Sequence, residues 1–336
     1  MVGTWETMNE ILTRSPESSE ARPSSGKTIK IDSRETICTV AFLVDGKHVV
    51  SGDEEGKIRR WRVEDGMEVG TPMDVGSDVF NIAVSRDGKW IVSGTWQLVQ
   101  VWSAESGEKV SGFRGHSHWV NAVDVSPDST KIVSGSYDRT ACVWSLSTGK
   151  RLLGPWEHDH LVFAVKFSPD GRFIATATQK SFWIYDGRDG NLIVNVSIEV
   201  SFSLNYSFAW SRNGKHLFAI SSGKIICLDA STGAMLSQWS IHDDECNRIA
   251  LASDDAFIAA SSDSSVSFWD TTTHEQIGSV IEHTAYVNCM AISADYDIVI
   301  GGGNEIMLCS LYNMSYCDTV STFTSRTPLV VQRIIS

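Results

Sequence analysis

From about residue 27 the chain alternates short apolar runs with polar turns, and within each run the alternation has period two. Gly115 to Lys150, GHSHWVNAVDVSPDSTKIVSGSYDRTACVWSLSTGK, shows it most clearly. VNAVDV alternates, SPDST interrupts, KIVSGS follows, YDRT breaks the run again, ACVWSL comes next, and STGK precedes a fourth stretch. Runs of this length, rich in β-branched residues and bounded by Asp, Ser and Gly, predict antiparallel hairpins rather than helices. Comparable units begin near 33, 74, 156, 197, 240 and 281, with turn signals such as VDGK, SRDGK, SPDGR and SRNGK. The residues that end each third strand are Trp61, Trp102, Trp144, Tyr185, Leu228, Trp269 and Cys309, at intervals of 41, 42, 41, 43, 41 and 40. A period of this size marks stacked supersecondary units.

A four-stranded sheet of about 40 residues cannot bury both faces alone, whereas a ring of such sheets packs each on its neighbours. The prediction is an all-β fold: a seven-bladed β-propeller of four-stranded antiparallel blades over residues 27–323. Residues 1–26, with SPESSEARPSSGK, predict a flexible leader, and 324–336 a C-terminal tail. Closing the ring requires a fourth strand for the last unit. KTIKI (27–31) is the expected donor and DTVSTF (318–323) its competitor.

Composition narrows the function classes. The net charge of −13 opposes binding to a phosphate backbone, so no nucleic-acid partner is expected. No apolar run reaches the length of a membrane span and no secretory signal is evident, so no membrane partner is expected either. The cysteines at 38, 142, 227, 246, 289, 309 and 317 are odd in number and lack CxxC spacing. Buried free thiols in the cytoplasm or nucleus are the expectation.

The GH near the start of a unit, the Asp in its second turn and the Trp ending its third strand resemble the WD40 repeat family. The resemblance covers about 285 of the 336 residues and is closest in Gly115 to Lys150, which is similar to fungal and bacterial WD40 arrays. It implies a hydrogen-bonded chain of His, Ser, Asp and Trp that pins a blade: His116, Ser134, Asp138 and Trp144 in the third unit, and His242, Ser261, Asp263 and Trp269 in the sixth. A Ser-His-Asp trio could instead be catalytic, but one that recurs with the repeat and ends on an indole N–H reads as structural. The seventh unit has His283 but glycines where Ser and Asp belong, and the fourth has His158 with Tyr185 in place of Trp. HSH (116–118) and HDH (158–160) imitate metal pairs without a third ligand, and SGKT (25–28) lacks the upstream glycine of a phosphate loop. No metal and no cofactor is expected.

The resemblance further implies that ligands meet the face carrying the loops between blades and the turns between second and third strands. Alignment of the units places Phe80, Trp96, Trp119, Tyr137, Phe163, Tyr206 and Tyr286 on that rim, with Asp78, Glu54 and Glu245. Large aromatics suit a protein or peptide interface, and the carboxylates favour a basic or mixed-charge segment. The expected function is a non-enzymatic scaffold, a single propeller within a larger complex. Two alternatives remain. FWIYDGR, ending at Arg188, resembles part of the box found in substrate receptors of cullin-type ubiquitin ligases. A propeller enzyme would need carboxylates or histidines on the inner strands, and those rows read as almost wholly apolar.

Overall fold

The computed structural model describes residues 27–29, 35–198, 207–221, 223–241 and 246–311, with backbone alone for 27–29 and 246–247. All regular structure among the described residues is β-strand. The first unit pairs Ile37–Phe42, His48–Asp53, Lys57–Arg62 and Met73–Asp74 in chain order. The fourth (Ala164–Phe167 to Leu192–Ser197), fifth (Phe208–Trp210 to Met235–Ser240) and sixth (Cys246–Leu251 to Ile281–Glu282) follow the same meander.

The second and third units are fused into one seven-stranded sheet because a single strand, Lys109–Val125, serves both. Its first part pairs with Trp96–Ser103 and its last part with Lys131–Ser136. In the last unit, Cys289–Ile292, Asp297–Gly302 and Glu305–Ser310 take Lys27–Ile29 as fourth strand, with Lys27 opposite Leu308 and Ile29 opposite Ile306. The N-terminal strand thus completes the sheet of the last unit, and its competitor at 318–323 lies outside the described residues, as do the leader and tail. With Lys109–Val125 counted in both its sheets, the described strands form seven four-stranded units.

The core lies between the units rather than within them. Phe182 and Ile184 of the fourth pack with Phe208, Leu217 and Ile226 of the fifth. Ile37, Val49 and Trp61 of the first pack with Val299, Ile306 and Leu308 of the last, so apolar burial closes the ring. Every neighbouring pair shares such a cluster, so each unit buries its apolar faces against its neighbours.

Polar side chains on the inner strands add a second tie. Thr39 Oγ1 accepts from Ile82 N (3.4 Å), Asn81 Oδ1 from Val123 N (3.0 Å) and Ser207 Oγ from Ile249 N (2.6 Å), each reaching one unit onward. The equivalent position in the third unit is Ala122, which has no acceptor. Asp124 takes over two residues later, its Oδ2 accepting from Phe167 N at 2.8 Å. The inner rows are therefore less apolar than their sequence suggests. Where other units place Ala41, Ala83, Ala209, Ala250 and Ala291, the third and fourth place Asp124 and Lys166. Lys166 is exposed between buried Val165 and Phe167, so its side chain faces the central channel. Burial pushes the Asp124 carboxyl up to about 6, partly opposed by Lys166 and the Phe167 amide.

Candidate protein-docking rim

In the third unit the pinning chain is complete and continuous. Trp144 Nε1 donates to Ser134 Oγ (2.7 Å), Ser134 meets His116 Nε2 (2.7 Å), and His116 Nδ1 meets Asp138 Oδ2 (2.9 Å). Burial works against ionisation of Asp138, but hydrogen bonds from His116, Thr140 and Ser117 N outweigh it and hold its carboxyl well below the usual range. Ser134 is fully buried and the side chains of His116 and Asp138 nearly so, so this trio cannot meet a substrate. In the sixth unit His242 lies outside the described residues, Ser261 is buried, and Asp263 is exposed with φ +45. There the Trp269 indole donates to Ser267, two residues earlier on its own strand (2.8 Å), a partner the sequence reading did not foresee. Trp61 and Trp102 use Ser51 and Ser93 in the expected manner, at 2.8 and 3.1 Å. His158 pairs with Thr176 (2.8 Å) and Tyr185 (3.3 Å).

The two apparent metal pairs are pulled apart by this arrangement. His116 and His158 turn inward, while His118 and His160 do not follow them. Among the described residues no group of three or more His, Cys, Asp or Glu could hold a metal ion.

Above the pinned third unit the loops bring aromatic rings together. In the second unit the turn is one residue shorter than in the third, Thr95 N donating to Leu98 O (3.0 Å) with Gln97 at φ +60. This brings Trp96 directly opposite Trp119 across the strand pair. The ring centroids are 5.4 Å apart, and Trp119 also meets Phe80 at 5.6 Å and Tyr137 at 5.9 Å. Tyr137 meets Phe163 at 5.5 Å. The arc thus draws on three consecutive units, at spacings and tilts typical of favourable aromatic pairs.

Its members differ in access. Trp96 is 45% exposed, and Phe80, Trp119 and Tyr137 are half-buried. Phe163 is buried, its exposure 3%, which corrects its assignment as a contact residue: it supports Tyr137 from below. His118, the second histidine of the apparent metal pair HSH, is instead part of the arc. Its ring lies 5.1 Å from both Trp96 and Trp119 and 5.9 Å from Tyr137, and its Nδ1 accepts from Trp119 N. Its place beside Trp119 was the available signal. Tyr286 is exposed on the loop entering the last unit, near Arg248. Tyr206 and Glu245 lie outside the described residues.

Carboxylates crowd the first unit beside the arc. Glu54 is exposed and Asp78 half-buried. Burial pushes the Cys38 thiol up to about 12, with Glu54, Asp78 and Asp53 adding to it. A hydrogen bond with Glu55 raises the pKa of Glu35, and Asp53 and Glu54 reinforce the effect. Nearby cations are already engaged: Lys57 with Asp74 (2.7 Å), and Arg59 with Glu68 (3.1 Å) and Asp53 (3.6 Å). Arg188, on the far side of the fourth unit, is exposed and folded back onto Asp186 at 2.9 Å.

Pinned blades, cores shared between neighbours and a strand from the N-terminus in the last sheet define a WD40-type β-propeller. The chain belongs to the family described as WD domain, G-beta repeat, which matches residues 26–62, 71–103, 107–145, 151–192 and 233–270. It is similar to eukaryotic translation initiation factor 3 subunit I of Homo sapiens, at 30% identity over 223 residues, 62% of this chain and 68% of that protein. The Danio rerio counterpart is 29% identical over 243 residues, 68% of this chain and 74% of the relative. Two solved structures share the fold at 17% identity. U3-55K aligns with a TM-score of 0.75 over 85% of this chain and 98% of its own, and the RRP9 WD40 repeats with 0.74 over 85% and 97%.

Proposed function

We propose that this protein is a non-enzymatic scaffold whose rim docks a basic segment of a partner protein. The observation that carries the reading is the aromatic arc: Trp96 exposed, backed by Trp119, His118 and Tyr137, and lying beside Glu54 and Asp78. Trp and Tyr dominate the energy of protein interfaces, and uncompensated carboxylates select a partner of opposite charge. The similarity to a subunit of a translation initiation factor supports a place within a multiprotein assembly. A catalytic role finds no support in the buried Ser134, His116 and Asp138.

The test is an array of immobilised peptides in which Lys and Arg content is varied against a fixed background. Basic peptides should be retained, and Trp96→Ala or Glu54→Lys should each weaken retention by about tenfold, the effect of roughly 1.4 kcal/mol. Retention of acidic peptides, or of basic peptides equally by all variants, overturns the proposal.

A further inference from the structure

The outer edge of the propeller carries apolar side chains that the rim does not explain. Leu192 and Ile193 begin the outer strand of the fourth unit and are 49% and 39% exposed. Met235 and Leu236 begin that of the fifth and are 51% and 52% exposed. The two pairs belong to abutting elements. Gly233, at φ +73, lies so close to the fourth unit's outer strand that a Cβ there would be 2.5 Å from Val194 and 2.6 Å from Val196. An exposed apolar patch on one side of a ring marks a contact surface.

We propose that the chain's own segment Pro328–Ile335, PLVVQRII, covers this patch. Three observations favour that occupant. The first is where the described chain ends. Leu311 N donates to Tyr296 O (2.7 Å) as Ala230 N donates to Lys215 O (2.8 Å) in the fifth unit. Leu311 therefore stands where Ala230 stands, and in the fifth unit Met235 follows only five residues later. The chain leaves the last unit on the same face as the patch. Its own outer position is taken by Lys27–Ile29, so it cannot complete that sheet. The second is reach. The sixteen residues 312–327 span up to about 50 Å when extended, and the fifth unit stands two places from the last in the ring. The third is chemistry. Leu329, Val330, Val331, Ile334 and Ile335 match the apolar patch, and Arg326 and Arg333 stand against a single carboxylate, Asp318, in residues 312–336 of a chain with net charge −13.

Hydrogen exchange followed by mass spectrometry on the full chain tests this. Peptides covering 328–335 should exchange at least tenfold more slowly than a free peptide of the same sequence. That protection should disappear both in Val330→Asp/Val331→Asp and in Leu192→Ser/Leu236→Ser, while the core strand Ile132 to Ser136 keeps its protection in each. The pair of variants separates docking from misfolding, because the first leaves the propeller untouched. Free-peptide exchange in the wild type overturns the proposal. So does protection that survives both variants, or protection that rises with protein concentration, which would assign the patch to a second copy.

Discussion

Ser134→Ala isolates the energetic logic of the pinned blade. The hydroxyl is fully buried, accepts from Trp144 Nε1 at 2.7 Å and lies 2.7 Å from His116 Nε2. Its removal strands two buried polar groups, each at a cost of about 1–3 kcal/mol, so the loss should total about 2–6 kcal/mol. Ser93→Ala is the internal control. Ser93 is equally buried and accepts from Trp102 at 3.1 Å, but its unit supplies no histidine, so only one group is stranded and the cost is about 1–3 kcal/mol. Urea unfolding followed by tryptophan fluorescence, with the denaturant slope shared between variants, reads the difference. Ser134→Ala should lose at least about 1 kcal/mol more than Ser93→Ala. Equal losses would mean that His116 and Asp138 add nothing beyond the indole bond, and would refute the reading of the four residues as one chain.

Three further outcomes are expected. Asp138 has a folded pKa below its unfolded value, so its stabilisation is present above about pH 4 and lost as pH falls through the folded value; the advantage of wild type over Asp138→Asn should shrink in acid. Asp124 has the opposite sign. Its folded pKa is raised to about 6, so ionisation weakens the fold, and the stability of Asp124→Asn relative to wild type should be greatest above pH 6 and decline by on the order of 1–2 kcal/mol toward pH 4. Gly233→Ala should destabilise more than Gly70→Ala, since both have positive φ but only the first meets a neighbouring strand; thermal melts showing equal shifts would contradict this.

The periodicity exposed most of the architecture, because every unit repeats the same strand-turn grammar and a spacing of 41 and 42 residues between Trp61, Trp102 and Trp144 has few other solutions. The pinning chain of the third unit was legible for the same reason. What escaped depends on side-chain direction. Phe163 and Phe80 occupy matching loop positions, yet Phe163 is buried beneath Tyr137 and Phe80 is half-exposed. His118 was hidden by its resemblance to half of a metal pair. Asp124 and Lys166 look like interruptions of apolar strands until the absence of an acceptor at Ala122 explains the first and the central channel accommodates the second. Trp269 chose Ser267 on its own strand, which spacing alone does not indicate. The arc also changes the choice of probe. Trp119 contacts four rings, so its removal would disturb the rim itself, whereas Trp96 offers its exposed face at less structural cost.

Affinity capture from lysate of the native cells, wild type beside Trp96→Ala/Glu54→Lys, with the bound proteins identified by mass spectrometry, tests the docking rim most directly. A partner bearing a basic segment should be retained by the wild type and lost from the double variant, while both baits melt at nearly the same temperature. Recovery of the same proteins by both baits would place binding elsewhere on the propeller and contradict the assignment of the rim.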